Sequence, residues 1–204
     1  MDTITVRTAT SSEQARVVST LTLAFVRDPV TRWVWPDPHQ YLTHYPEFVS
    51  AFGGKAFEHD AAYCADDFSG GGLWLPPEVQ PDEETLVGLI QRSVSPERLP
   101  TAFALLEQMG SYHPEQPHWY LSIIGVDPSR QGRGHGATLL RHALERVDRE
   151  GRVAYLESSN PANVPLYQRH GFEVVGTIQA GDAPPMFPMV RQARRALPYR
   201  PRTV

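Results

Sequence analysis

The sequence predicts a mixed α/β domain, and three observations support that prediction. Short apolar runs of strand length alternate along the chain with segments whose apolar residues recur at helical spacing. A buried strand, a glycine-rich turn and a helix follow one another between residues 119 and 147. The chain has 204 residues, of which 41% are hydrophobic and 10% aromatic, enough for one sizeable core. We expect one domain over residues 1–193 and an arginine- and proline-rich tail over residues 194–204.

In the first half of the chain, alternation of apolar and polar residues predicts the strand Ile4–Thr8, and short apolar runs predict the strands Ala61–Ala65 and Gly72–Leu75. The last two form a hairpin joined by residues 66–70. Helical spacing predicts a helix that begins at Ser11 or Ser12 and stops at Asp28-Pro29, and then the helices Tyr41–Phe57, Asp82–Ser93 and Pro100–Gly110. The pair Gly53-Gly54 is a weak point of the predicted helix Tyr41–Phe57. The aromatic segment Val30–Trp35, followed by Pro36-Asp37-Pro38, is predicted to be a loop.

In the second half, the predicted strands are Trp119–Val126, Val153–Ser158, Phe172–Ile178 and Met186–Val190. Two predicted helices, Ala137–Val147 and Pro165–His170, lie between them and are followed by Gly151 and Gly171. Residues 191–204 hold five arginines and two prolines, which is typical of a solvated tail beside an acidic remainder.

Composition excludes several classes of protein. The formal net charge of -4 argues against nucleic acid as the principal partner. No apolar run is long enough to span a membrane, and the polar start Met1-Asp2-Thr3 is unlike a secretory signal. Cys64 is the only cysteine, and no histidine or carboxylate grouping has metal-ligand spacing, so we expect neither a disulfide nor a metal. These exclusions predict a cytoplasmic protein.

The glycine-rich turn is predicted to bind a pyrophosphate. It joins a strand to a helix, and a helix N-terminus presents free N–H groups and a positive dipole end to an anion. Gly132, Gly134 and Gly136 lack Cβ atoms, so the backbone can turn sharply and approach a phosphate closely. The side chains of Gln131 and Arg133 add further hydrogen-bond donors.

Other interpretations of the turn fit less well. A dinucleotide-binding fold also combines strand, glycines and helix with an acidic residue further on, a position that Glu157 approaches. Its glycines, however, are spaced G-x-G-x-x-G and follow their strand directly, whereas here residues 127–131 intervene. A P-loop is excluded because no Gly-Lys-Ser/Thr follows. A surface turn without a ligand does not account for three glycines, a glutamine and an arginine at one junction.

The motif itself, Gln131-Gly132-Arg133-Gly134-His135-Gly136, resembles the R/Q-x-x-G-x-G/A signature of the GNAT acetyltransferase superfamily. The preceding Val126-x-Pro128 and the later Asn163-Val164-Pro165-Leu166-Tyr167-x-x-x-Gly171-Phe172 fit the same family. The resemblance covers nearly the whole chain, and within the family it is strongest to puromycin N-acetyltransferase-like members. Phe25-x-x-x-Pro29-x-Thr31-Arg32, Trp119-Tyr120-Leu121 and Leu156-Glu157-Ser158-Ser159 are similar to those members. Asp28 departs from them, because they carry an aromatic residue before the proline.

The resemblance implies the GNAT fold: a central, mostly antiparallel mixed sheet of six to seven strands flanked by helices and splayed between the strands ending at Val126 and Ser158. It also implies acetyl-CoA as cosubstrate and direct transfer of its acetyl group to an amine of a small molecule, by a monomer or homodimer. Two other functions stay open at this point. One is acetylation of a protein or peptide, and the other is a non-catalytic domain that senses acyl-CoA.

The cofactor-binding residues implied by the resemblance lie on the strand, the turn and the segment after the next strand. They are Ile124, Gly125, Val126, Gln131, Gly132, Arg133, Gly134, His135, Gly136, Ala137, Asn160 and Asn163. Backbone groups of the first three would pair with the pantetheine arm, and one N–H there would polarise the acetyl carbonyl. Gly125 in a strand indicates a bulge or a close backbone approach.

The resemblance makes Tyr167 the general acid for the departing thiol, although a tyrosine on a short helix is otherwise typical of core packing. Glu157 closes a buried strand at the expected cleft and is the best candidate base; a structural carboxylate is an equal alternative. His118 is a weaker candidate base. The aromatic side chains that are candidates for the acceptor pocket are Phe25, Trp33, Trp35 and Trp74, and each of them also fits a core position.

Overall fold

The computed structural model describes residues 3–193, and the predicted tail 194–204 lies outside the described residues. Seven strands form one sheet in the order β1-β2-β3-β4-β5-β7-β6. The strands are β1 (Val6–Thr8), β2 (Ala62–Ala65), β3 (Gly70–Leu75), β4 (His118–Val126), β5 (Val153–Ser158), β6 (Glu173–Val174) and β7 (Phe187–Arg191). Neighbouring strands are antiparallel except for β4 and β5, which are parallel. The sheet therefore has the predicted mixed, mostly antiparallel character.

Seven α-helices accompany the sheet within the described residues. They are α1 (Gln14–Ala24), α2 (Pro29–Val34), α3 (Pro38–Gly53), α4 (Glu83–Ser93), α5 (Leu99–Tyr112), α6 (His135–Arg149) and α7 (Val164–Arg169). Four short 3-10 helices adjoin them: Ser11–Glu13, Gly54–His59, Pro128–Arg130 and Pro161–Asn163. Residues 3–193 contain no helix that is both long and apolar enough to cross a membrane.

Helices cover both faces of the sheet. A Cβ atom built on Gly71 would contact Val17 of α1, whereas one built on its neighbour Gly70 would contact Leu139 of α6. Successive residues of a strand point to opposite faces, so α1 and α6 lie on opposite sides of β3. A Cβ atom on Gly125 would lie only 2.6 Å from the Cβ of Ala24. Glycine in β4 thus lets α1 lie close against the sheet, the close approach that the sequence indicated.

The two central parallel strands separate along their length. β4 and β5 pair only where residues 118–120 face residues 153–155, while β4 continues to Val126 and β5 to Ser158. Within the β3–β4 ladder the register shifts, so that Leu73 faces Ile123 and Trp74 faces Leu121. Such an irregularity bends a strand and increases its twist. The β5-facing edge of residues 124–126 is consequently unpaired and forms one wall of a cleft.

Three sequence predictions of local structure are wrong. The predicted loop Val30–Trp35 is mostly helix α2, because Asp28 accepts a hydrogen bond from the N–H of Thr31 at 2.9 Å and Pro29 occupies the first helical position. The N-terminal helical region is capped by Thr10, rather than Ser11 or Ser12, in a reciprocal capping box with Glu13. The strand predicted over 172–178 is reduced to β6, with one isolated bridge from Ile178 to Met186.

Candidate active site

The glycine turn is fastened to the end of β4 and opens helix α6. Gly132 and Gly134 have φ angles of 74° and 94°, in the left-handed region that favours glycine. The side-chain amide of Gln131 donates to the carbonyl of Val126 at 3.1 Å. The first bond of the helix runs from the N–H of Thr138 to the carbonyl of Gly134, at 3.0 Å. The N–H groups of residues 135–137 have no partner among the described residues and point out of the helix end.

A cavity of about 560 Å³ lies over this helix end and along the unpaired edge of β4. Every predicted cofactor-binding residue except Arg133 lines it; in place of Arg133 the wall contains Arg130. We call this cavity the cofactor cavity. The Asn160 side-chain oxygen accepts from the N–H of Ala162 at 3.0 Å, so Asn160 also caps the short 3-10 helix at residues 161–163. Its amide NH₂ donates no hydrogen bond within residues 3–193.

Three arginines give the cofactor cavity a positive wall, and none of them was predicted as a site residue. Arg27 follows α1, Arg130 precedes the glycine turn and Arg169 ends α7. A cluster of cations in a concave site raises the local concentration of anions. The three are far apart in sequence and belong to no motif, so only the fold brings them together. The cavity therefore suits a ligand that carries several phosphate charges.

A second, smaller cavity of about 130 Å³ adjoins the first and is almost wholly apolar. The two cavities share Phe25 and Ile124, and we call the smaller one the acceptor cavity. Of the predicted acceptor residues, Phe25 and Trp35 line it. Trp33 and Trp74 line neither cavity: Trp33 packs under the guanidinium of Arg98 and Trp74 is 1% exposed within β3.

Among the described residues, Glu157 is the only carboxylate in the wall of the acceptor cavity. Its side chain is 3% exposed, and the hydroxyl of Tyr120 donates to Oε2 at 2.8 Å. The other oxygen, Oε1, has no hydrogen-bond partner within residues 3–193 and lies 3.5 Å from Nε2 of His113. Burial and the charge of Glu157 raise the pKa values of Tyr120 and Tyr155 well above 10, so both hydroxyls stay protonated.

Tyr167 is buried at 6% exposure and packs edge-on against Phe172, with ring centroids 6.2 Å apart. It lines neither cavity, although its neighbour Leu166 lines the cofactor cavity. Burial, and secondarily the charge of Asp28, raise the pKa of Tyr167, which therefore carries its proton at neutral pH. Tyr167 is thus a buried, protonated phenol next to a residue of the cavity wall.

Asp28 connects the two sides of the cleft. Its Oδ1 accepts from the backbone and hydroxyl of Thr31, and its Oδ2 accepts from the Ser159 hydroxyl at 2.5 Å. Asp28 lies in the wall of the cofactor cavity and Ser159 in that of the acceptor cavity. This carboxylate therefore fastens the start of α2 to the segment after β5, where the two cavities meet.

A splayed mixed sheet, with a helix end and a cationic cavity at the splay, defines a class of α/β domain that receives a phosphate-bearing ligand between two strands. The model of the acetyltransferase (GNAT) family matches residues 28–172, well over half of the chain. The chain therefore belongs to the GNAT acetyltransferase family. The sequence-based assignments of fold and superfamily are confirmed.

Curated relatives match the chain over limited stretches. A mycothiol acetyltransferase of Mycolicibacterium gilvum is 46% identical over 63 residues, which are 27% of this chain and 21% of that protein. The N-alpha-acetyltransferase RimI of Mycobacterium tuberculosis is 40% identical over 76 residues, 36% of this chain and 46% of that protein. The matched stretches thus span from about a fifth to under half of these relatives.

Solved structures resemble the whole described fold. One is a Corynebacterium glutamicum protein described as histone acetyltransferase HPA2 and related acetyltransferase, with a TM-score of 0.70, 24% identity and coverage of 96% of this chain and 99% of that one. Another is arylalkylamine N-acetyltransferase 2 of Aedes aegypti, with a TM-score of 0.67, 14% identity and coverage of 95% and 100%. At these identities the likeness shows the fold.

Proposed function

We propose that the chain transfers the acetyl group of acetyl-CoA to the amine of a small, largely apolar molecule. One observation carries the proposal: the cationic cofactor cavity and the apolar acceptor cavity meet at Phe25 and Ile124, and the latter contains a buried carboxylate, Glu157. Joined cavities of such different chemistry suit two ligands that meet end to end.

The cofactor cavity has the chemistry that acetyl-CoA needs. The unpartnered N–H groups of residues 135–137 and the side chains of Arg27, Arg130 and Arg169 would bind the pyrophosphate. The open edge of residues 124–126 would pair with the pantetheine arm as an added strand, and an N–H there would polarise the acetyl carbonyl. Acetyl-CoA, when bound, supplies an acetyl group activated as a thioester.

Two residues of this chain would move protons. Glu157 faces the acceptor cavity and would take a proton from the incoming ammonium, since only the neutral amine is nucleophilic. Tyr167 would give its phenolic proton to the departing sulfur, which requires its hydroxyl to reach the cofactor cavity past Leu166.

The acceptor class follows from the size and lining of the acceptor cavity. Its volume of about 130 Å³ is similar to that of an engineered apolar protein cavity, about 150 Å³, that binds benzene. Phe25, Trp35 and their apolar neighbours would hold one ring or a short alkyl chain with its amine at Glu157. The resemblance to puromycin N-acetyltransferase-like members would then lie in the scaffold, and the acceptor would be a smaller amine than a nucleoside.

A screen of amines tests this proposal. The chain is incubated with acetyl-CoA and single amines that differ in ring size, and thiol release is followed together with the mass of the acetylated product. Single-ring arylalkylamines and short alkylamines are expected to react faster than nucleoside amines. Acetylation of an N-terminal peptide but of no small amine would favour a protein or peptide acceptor, in line with a relative named N-alpha-acetyltransferase RimI. Binding of acetyl-CoA without transfer to any amine would favour a sensor.

A further inference from the structure

A third cavity of about 630 Å³ opens on the far side of the acceptor cavity, and two histidines line it. His113 follows α5 and His118 begins β4. The third cavity shares Phe52, Leu106 and Met109 with the acceptor cavity, but Glu157 lines only the acceptor cavity. Two residues, His113 and Tyr120, therefore both face the Glu157 carboxylate and line the third cavity. Of the two, only His113 has a basic nitrogen. Its side chain is 22% exposed, whereas that of Glu157 is 3% exposed.

Hydrogen bonds fix the tautomers of both rings. Nδ1 of His118 lies 2.9 Å from the carbonyl oxygen of Gln116, and a carbonyl only accepts, so this nitrogen carries a proton. Burial lowers the pKa of His118, which favours the neutral ring and leaves Nε2 as an acceptor. Nδ1 of His113 lies 3.0 Å from that nitrogen and must therefore be the donor. A neutral His113 then has no proton on Nε2.

The unprotonated nitrogen of His113 faces the unpartnered oxygen of Glu157. Nε2 and Oε1 are 3.5 Å apart, and Oε1 has no hydrogen-bond partner within residues 3–193. The second oxygen of Glu157 is already bonded to Tyr120. The hydroxyl of Tyr155 lies near the same carboxylate but makes no hydrogen bond within residues 3–193. A neutral His113 places no proton between Nε2 and Oε1, so a proton taken up by Glu157 has one nitrogen beside it that can accept it.

We propose that His113 takes the acceptor's proton from Glu157 and releases it to water in the third cavity, with His118 holding the ring in the required tautomer. This step rests on the proposed function. The ammonium N–H bond breaks as an O–H bond forms on Glu157; that bond breaks as an N–H bond forms at Nε2 of His113, and Glu157 is again a carboxylate. The imidazolium then loses the Nε2 proton to water and returns to its starting tautomer.

The surroundings of His113 favour a transient positive charge on its imidazole ring. The groups that face it are His118 and Tyr120 from β4 and Tyr155 and Glu157 from β5, with ring centroids 4.4 to 5.2 Å away for the three aromatic neighbours. Glu157 is the only carboxylate among these groups. Glu83 and Glu107 line the third cavity and add negative charge at its rim. An imidazolium at His113 is thus attracted from both sides.

The first test determines the tautomer of His113 and requires no acceptor amine. Histidine ring ¹⁵N NMR of the full chain is expected to show His113 and His118 both protonated at Nδ1, with Nε2 of His113 free. A His113 ring protonated at Nε2 and free at Nδ1 would overturn the proposal, because that nitrogen could not accept a proton from Glu157.

The second test uses chemical rescue with the best amine from the screen. His113→Ala is expected to lower kcat about ten- to a hundredfold, toward the low end of what positioned proton transfer contributes, while acetyl-CoA binding and the acceptor KM stay unchanged. Added imidazole, which enters through the third cavity, should restore turnover in proportion to its concentration. His113→Asn keeps a donor toward His118 without a basic nitrogen and should lose activity equally. His39→Ala, at an exposed position of α3, is the matched control and should behave as wild type.

The outcomes separate this inference from the proposed function. Wild-type turnover in both His113 variants would overturn the relay and leave the acetyltransferase intact. Lost activity with a lowered melting temperature in both variants and no rescue would make His113 a packing residue and likewise overturn the relay. Absence of acetylation by the wild-type chain with any amine would contradict the proposed function, and the NMR result would then decide the tautomer that the relay requires.

Discussion

The substitution Gly136→Ala tests phosphate binding at the N-terminus of α6 separately from the stability of the fold. Gly136 is the second residue of α6 and does not need a left-handed φ, unlike Gly132 and Gly134. A Cβ atom there would lie 3.6 Å from Leu166 and 3.7 Å from Val126, which is ordinary van der Waals contact. Both neighbours line the cofactor cavity, so the methyl of Gly136→Ala projects toward the bound pyrophosphate.

The magnitude follows from the N–H groups that the phosphate would lose. A hydrogen bond to a charged group contributes about 1.5–3 kcal/mol. Displacing the phosphate from one of the N–H groups of residues 135–137 therefore raises the Kd for acetyl-CoA about ten- to a hundredfold, since about 1.4 kcal/mol is tenfold. Alanine is favoured over glycine within a helix by about 0.5–1 kcal/mol, so the melting temperature should not fall.

Isothermal calorimetry with acetyl-CoA and a thermal melt of each variant check this prediction. Gly88→Ala in α4 is the matched control: it makes the same change in a helix, 3.7 Å from the Arg92 guanidinium and away from the three cavities. It should bind acetyl-CoA as the wild type does. Unchanged affinity in Gly136→Ala would refute the assignment of the pyrophosphate to this helix end, whereas weaker binding with a lower melting temperature would show that the added methyl disturbs the fold.

Four further predictions concern catalysis, the acceptor and acid stability. Tyr167→Phe should lower kcat about a hundredfold, with unchanged acetyl-CoA affinity and melting temperature; turnover within about twofold of wild type, with chemistry rate-limiting, would make Tyr167 a packing residue. Glu157→Gln keeps the shape and should lower kcat about a hundred- to ten-thousandfold near neutral pH, and a pH–rate profile should show the deficit shrinking as the amine itself deprotonates toward about pH 10. Trp35→Ala should change the amine profile and the acceptor KM, whereas Trp33→Ala, outside both cavities, should not; equal effects in the two variants would contradict the assigned pocket. Hydrogen bonds from Arg7 and Thr10 lower the pKa of Glu13 from 4.5 to about 2, so its stabilisation is complete above pH 4.5 and is lost as the pH falls toward 2. Glu13→Gln should flatten the acid side of the plot of melting temperature against pH, and an unchanged plot would contradict this.

The elements with a strong local pattern are predictable from sequence. The amphipathic face of α6, with Leu139, Leu140, Ala143, Leu144 and Val147 all buried, has one period and one partner surface. The β5 strand has its predicted bounds because its first four residues, 153–156, are a continuous apolar run that follows the helix-ending Gly151. Helix α2 is not predicted because Asp28-Pro29 is interpreted as the end of the preceding helix. Aspartate followed by proline is equally typical of a helix start, and here it begins α2.

Some residues of the site could be predicted from a local sequence motif, whereas others are brought to the site only by tertiary packing. The glycine turn and its unpaired N–H groups follow from one contiguous motif, and they line the cofactor cavity. Arg27 and Arg169 reach that cavity from two other elements, and His113 meets Glu157 only because the end of α5 lies beside β5. Such contacts depend on tertiary packing, which no local pattern in the sequence encodes. The predicted acid Tyr167 and the proposed base Glu157 remain predictions that the kinetic variants test.

The most direct test is whether acetyl moves between the two joined cavities. The wild-type chain, mixed with acetyl-CoA and a single-ring arylalkylamine, is followed by thiol release and by mass spectrometry of the amine, with Glu157→Gln as the matched variant. We expect equal amounts of free thiol and N-acetylated amine from the wild type, and a strongly reduced rate from Glu157→Gln with acetyl-CoA still bound. Thiol release without acetylated amine, or equal rates from the two proteins, would contradict transfer between the cavities with Glu157 as base.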